Sequence, residues 1–165
     1  MKVRQTLLGK MDKSEVAPPA GMYIDAKIVI SSDVRFLPVV RHTIGNLTTE
    51  MGWNESDSRA ITLAVEEALT NKIRHAYHGK DDGRIQMEIR TEPDALVFQL
   101  TDQGEAPDPA LICARREGSL TPGGFGTHII RDVMDKVVYE TVDEGNQLTL
   151  KKYMPGTGRA LAGSE

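Results

Sequence analysis

Near Gly79 the apolar residues change period, from the three- and four-residue steps of a helix to the two-residue alternation of a strand. Before it, Phe36, Val39, Val40, Ile44, Leu47 and Met51 recur at helical spacing to about Trp53, with Asp33 placed as a cap. Ile61, Val65, Ala68, Leu69, Ile73 and Ala76 repeat the pattern in a second helix ending near Tyr77, with Ser56 to Ser58 as N-cap candidates. After it, Ile85, Met87 and Ile89 alternate with polar neighbours in a strand from Arg84 to Thr91, introduced by an Asp82-Gly83 turn. Pro93-Asp94 makes the next turn, and Ala95 to Thr101 forms a more apolar strand. The same alternation marks Tyr23 to Ser31, through Ile24, Ala26, Ile28 and Ile30. A helix from about Thr127 to Met134 precedes two last strands, near Lys136 to Thr141 and Gln147 to Met154, joined by a turn at Asp143-Glu144-Gly145-Asn146. Strands and helices therefore do not alternate one for one. The order predicts an α+β two-layer sandwich, one mixed, largely antiparallel sheet with helices on one face.

A chain of 165 residues reads as one domain. It can bury about 70% of its unfolded surface, enough for a core without disulfide staples. Ala17-Pro18-Pro19-Ala20-Gly21 reads as a stiff connector. Residues 1–21 are thus expected to be a tail or linker, 22–155 the folded domain and 156–165 a second tail. The net charge of −4 sets up no positive field for a polyphosphate backbone, so nucleic acid is not an expected partner. Cys113 has no second cysteine to pair with, which fits a reducing cytoplasm. The N-terminal residues lack the apolar stretch of a signal peptide, and no apolar run reaches the length of a membrane span.

Three separated elements carry chemical potential. On the second helix, Glu67 and Asn71 are one turn apart and project from one face, where a carboxylate and an amide can hold a hydrated Mg²⁺. The same pair also suits a plain solvated face. At the end of an apolar strand, Asp102 can accept a hydrogen bond from an exocyclic amine, and Gly104 lets a flat ring approach the backbone; a strand ending in a turn would look the same. Finally, Pro122-Gly123-Gly124-Phe125-Gly126-Thr127 runs into a helix, whose first N–H groups can take phosphate oxygens, although a flexible connector is equally compatible. The Gly-rich segment from Gly104 to Gly126 is longer than most loops of compact domains. No P-loop and no Gly-x-Gly-x-x-Gly after a strand are present.

In this order the three elements resemble the nucleotide-binding boxes of the GHKL ATPase superfamily. Ala64-Val65-Glu66-Glu67-Ala68-Leu69-Thr70-Asn71, His75-Ala76-Tyr77, Asp102-Gln103-Gly104, Pro107-Asp108-Pro109 and Gly123-Gly124-Phe125-Gly126 are most similar to the anti-sigma factor serine-protein kinases within it. The resemblance covers about residues 23 to 154 and implies a Bergerat-type ATP-binding fold with ATP and Mg²⁺ as cofactors. It implies Glu67 as general base, Asn71 as ligand of the Mg²⁺ and Asp102 as acceptor of the adenine amine, with Gly104 supporting the ring. Gly123, Gly124, Phe125, Gly126 and Thr127 would surround the phosphates, under a lid from about Glu105 to Pro122. Arg115, with Arg116, would add positive charge in that lid, and His75 would border the pocket. His75 and His78 also have helical spacing for zinc, but a third strong ligand is missing.

Two departures from the family stand out. Thr127 and His128 follow the last glycine where apolar residues are common, and Lys72 follows Asn71 where a small residue is usual. Lys72 is expected to point away from Asn71 with little consequence.

The resemblance implies an ATP-dependent serine/threonine kinase that phosphorylates a STAS-domain antagonist and sequesters a sigma factor or another regulator. Homodimerisation through the first helix or strand is common in the family. Two alternatives stay open: a non-catalytic binding module whose partner choice follows ATP or ADP, and the ATP-binding domain of a histidine kinase. Against the latter, no phospho-accepting hairpin precedes the boxes, and the first helix has His42 followed by Thr43, without the usual acid.

Overall fold

A computed structural model of the chain describes residues 23–106, 125–143 and 145–155; both expected tails lie outside the described residues. Five strands form one sheet: β1 (Asp25–Ser31), β2 (Arg84–Glu92), β3 (Ala95–Asp102), β4 (Lys136–Val142) and β5 (Gly145–Tyr153), in the spatial order β1-β2-β3-β5-β4. Every pairing among them is antiparallel, in keeping with the largely antiparallel sheet expected. The helices are α1 (Leu37–Glu50), α2 (Glu55–Asn71) and α3 (Phe125–Val133). A 3₁₀ turn, Val34–Phe36, precedes α1 and a π-helical segment, Lys72–Ala76, extends α2. No described helix is long and apolar enough to cross a membrane.

Period-two patterning explains which face of the sheet is covered. Ile85, Met87 and Ile89 of β2, Leu96, Phe98 and Leu100 of β3, and Leu148 and Leu150 of β5 are all buried in one cluster with α1 and α2. Ile24, Ala26, Ile28 and Ile30 pack against its margin. The other face carries polar pairs, such as Lys27 opposite Glu88. Central β3 is buried on both faces at Val97, which lies in register between Arg90 and Lys151; long basic side chains have apolar stems suited to cover it.

Local chemistry sets the helix boundaries. Asp33 accepts from the Arg35 N–H at 2.9 Å and caps the 3₁₀ turn, as its position suggested. Gly52, at φ +94°, ends α1 in the left-handed conformation that glycine adopts without cost. The N-cap of α2 is Asn54, ahead of the expected serines, because its Oδ1 accepts from the Asp57 N–H at 2.9 Å. Ser58 instead lies inside the helix and is buried against α1, its Oγ 2.5 Å from Thr48 Oγ1 and donating to the Gly45 carbonyl at 3.1 Å. Small residues at this crossing let α1 and α2 approach closely. The second helix does reach Ala76, but its last turn is wide: Tyr77 N donates to Lys72 O at 3.2 Å, a π spacing. α3 starts at Phe125, two residues before the expected Thr127, and packs against α2.

At the β4–β5 hairpin, Gly145 pairs with Val142, so Gly145 and Asn146 belong to β5 and not to the turn. Gly145 has φ +126°, and a Cβ there would lie 2.0 Å from the Asp102 carbonyl oxygen. Two substitutions test this account. Gly145→Ala should destabilise the fold by at least about 2 kcal/mol, through backbone strain and displacement of the β3 end. Ile44→Ala, at a position with no exposed surface, should cost about 2–5 kcal/mol by leaving a cavity between α1 and the sheet. Urea unfolding with an unchanged slope would check both.

Candidate functional site

The end of α2 and the end of β3 meet at one corner of the sandwich. Val65, Ala68, Leu69 and Ile73 fix the helix by burying one stripe, which leaves Glu67 and Asn71 half-buried on an adjoining face. Neighbouring Glu66 is occupied: Arg41 of α1 grips it with two nitrogens, Nε donating to Oε2 at 2.8 Å. Neither Glu67 nor Asn71 is tied to another described side chain, so among the described residues their oxygens are available to a ligand. Carboxylate and carboxamide oxygens are the donor set that a hard divalent cation such as Mg²⁺ takes.

Asp102, the last residue of β3, has a side chain only 1% exposed. Its Oδ1 accepts from the Gly104 N–H at 2.9 Å, and its Oδ2 accepts from Lys72 Nζ. Lys72 thus does not point harmlessly away, as expected from the sequence: its side chain is 10% exposed and forms a buried ion pair with Asp102. The reason lies in its position, three residues after Leu69 and four after Ala68, which puts it on the core stripe. Burial pulls the Lys72 ammonium pKa below its usual value, and the Asp102 carboxylate offsets part of that.

Further hydrogen bonds lock this corner. Glu105 N donates to the Ala76 carbonyl and Asn146 Nδ2 to the Gly104 carbonyl, both at 2.9 Å. The Tyr77 hydroxyl donates to Arg84 O at 2.7 Å and accepts from Gln103 N at 3.2 Å. A Cβ at Gly104 would lie 2.6 Å from the Ala76 carbonyl oxygen, so backbone packing alone already requires glycine there. Asn146, Tyr77 and Lys72 are the members of this corner to which the sequence assigned no site role.

The other expected site residues fall as follows. Phe125, Gly126 and Thr127 form the first turn of α3, whose leading N–H groups have no partner within the helix. Gly123, Gly124, Arg115 and the lid beyond Ala106 lie outside the described residues. His75 is in the π segment and exposed. His78, at φ +54°, is also exposed, with Nε2 2.7 Å from Glu105 Oε2.

Residues 30–152 match the sequence model of the histidine kinase-like ATPase domain. The serine-protein kinase RsbW of Bacillus velezensis is 26% identical over 81% of this chain and 87% of its own length. The protein of the same name from Halalkalibacterium halodurans is 29% identical over 78% and 82%. That from Listeria monocytogenes serotype 4a is 26% identical over 82% and 90%. Among solved structures, the histidine kinase domain from the Erythrobacter litoralis EL346 blue-light activated histidine kinase is similar, with a TM-score of 0.49 and 16% identity. That likeness spans 73% of this chain and 60% of the other. The match that runs from the end of β1 almost to the end of β5 takes in every element that builds the corner, and the chain belongs to the histidine kinase-like ATPase domain family.

Proposed function

We propose that this chain is an ATP- and Mg²⁺-dependent serine/threonine protein kinase of the GHKL type, acting in the cytoplasm as a partner-switching regulator. The observation that carries the reading is the corner itself: a carboxylate and a carboxamide on α2 with no side-chain partner among the described residues, and a buried carboxylate at the end of β3. The family match and the serine-protein kinase relatives support the same reading. Its substrate would be a serine or threonine of a STAS-domain antagonist, and its second partner a sigma factor or another regulatory protein. Phosphorylation then changes which partner is held, because added charge alters one affinity and not the other.

Each residue has a task that its chemistry suits. Asn71 offers its amide oxygen to the metal, and Asp102 accepts from the exocyclic amine of the base. The N–H groups at the start of α3 face developing negative charge with the positive end of the helix dipole. Glu67, one turn before Asn71, would hold the attacking hydroxyl and accept its proton as the new O–P bond forms and the phosphoanhydride bond to the departing ADP breaks. When bound, Mg-ATP supplies the phosphoryl group and the cation that offsets charge on its oxygens. The architecture leaves positioning and proton removal to the protein, the two tasks phosphoryl transfer asks of it.

Saturating Mg-ATP, at about a hundred times its Kd, should raise the melting temperature by about 5–10 °C. That rise should lose its magnesium dependence in Asn71→Ala and shrink in Asp102→Asn. Glu67→Gln should retain ATP affinity while phosphoryl transfer to a STAS partner falls by about a hundredfold or more. Retained transfer in Glu67→Gln would remove its assignment as base. Stabilisation by ATP in a wild type that phosphorylates no STAS partner would favour the non-catalytic binding module.

A further inference from the structure

We infer that Lys72 is a second base-reading residue, which sets an N–H donor beside the Asp102 acceptor and so selects a base whose exocyclic amine is flanked by a ring nitrogen. The inference rests on the nucleotide-binding reading above and adds a specificity-determining residue to it.

The argument begins with the valences of the pair. Each carboxylate oxygen can accept two hydrogen bonds and an ammonium can donate three. Asp102 Oδ1 has one partner in Gly104 N, and Oδ2 has one in Lys72 Nζ. One acceptor site on Oδ2 therefore remains. Among the described residues Lys72 makes no other hydrogen bond, so two of its N–H bonds remain as well. Donor and acceptor are adjacent, because they are bonded to each other. A carboxylate alone accepts from an amine whatever stands next to it. The pair makes a stricter demand: the amine hydrogen goes to Oδ2, and a neighbouring lone pair must be there for Nζ. Adenine satisfies both, since N1 and N7 flank its 6-amino group.

Placement favours this use over a purely structural one. The Lys72 side chain is 10% exposed, so it is largely withdrawn from bulk water. Its backbone begins the π segment immediately after Asn71, which puts it between the metal-ligand candidate and the base-binding candidate. A hydrogen bond from a charged donor to a ring nitrogen in such surroundings is stronger than one in water.

The test uses the full chain and needs no turnover. Equilibrium binding in the presence of Mg²⁺ is measured calorimetrically for ATP, 1-deaza-ATP and 7-deaza-ATP, each analogue lacking one ring nitrogen beside the amine. The wild type should bind one analogue about ten- to hundredfold more weakly than ATP, the range set by one hydrogen bond to a charged group. Lys72→Met should abolish that difference, and Lys72→Arg should keep it. The inference is overturned if both analogues bind the wild type as ATP does, or if the difference persists in Lys72→Met. It is also overturned if Lys72→Met binds ATP more tightly than the wild type, because Lys72 would then only obstruct Asp102. The wild-type comparison stands even if a variant does not fold. A wild type that binds no ATP removes the nucleotide-binding reading itself, whereas ATP binding without analogue discrimination removes this inference alone.

Discussion

The buried ion pair between Lys72 and Asp102 joins the two elements on which the rest of the site depends. One partner starts the π segment of the second helix, and the other ends the central strand. Around them, Gly104 closes onto the Ala76 carbonyl, Glu105 donates to that same oxygen, and Tyr77 bridges Gln103 and Arg84. Helix end and strand end are thereby fixed to each other by polar contacts in a position where the apolar core is running out. Packing alone would leave this margin free to slide. The proposed site, which would have to align a proton acceptor, a metal ligand and a base acceptor, would tolerate little sliding, since small misplacements cost large factors in rate.

The second helix does two jobs with one periodicity. Its stripe of Ile61, Val65, Ala68, Leu69 and Ile73 anchors it in the core, while the adjoining face presents Glu67 and Asn71. Glu66, one residue earlier, is spent on Arg41 and the junction with α1, which separates two adjacent carboxylates by role. The buried stripe thus sets the orientation of the functional face, and core substitutions along it would be felt at the site.

Much of this was legible in the sequence because most of it is periodic. The strands and the two long helices follow from apolar spacing, and the grouping of Glu67 with Asn71 follows from one helical turn. What was missed has physical reasons. Asn54 displaced the serines as the cap because it sits one residue before the first turn, where its side-chain Oδ1 accepts from the Asp57 N–H. The turn between β4 and β5 came out too wide because Gly145 and Asn146 have turn-like identities. Their inclusion in β5 depends on the close approach of Gly145 to the β3 backbone, a tertiary contact no local pattern reveals. Lys72 was the misreading with most consequence, and there the signal was present. Its spacing from Ala68 and Leu69 placed it on the core stripe, and a lysine on such a stripe implies an acidic partner.

Stability does not explain why a lysine occupies that stripe. Removing two charges from water costs several kcal/mol each, and replacing a buried ion pair with well-packed apolar residues is often neutral or stabilising. Asp102 alone, with Gly104 N on Oδ1, would still have an oxygen for a base amine, and a small residue at position 72 would leave it accessible. Keeping Lys72 therefore adds a desolvation cost and occupies part of the acceptor that the site uses. Such a cost is borne where the polar groups do something an apolar replacement cannot, as at sites that read a ligand's hydrogen-bonding edge and penalise an analogue that leaves them unpaired. On that argument the energy lost by burying Lys72 would be recovered only when a base with both a donor and an acceptor is present, and the same pair that fixes the corner would also make it selective.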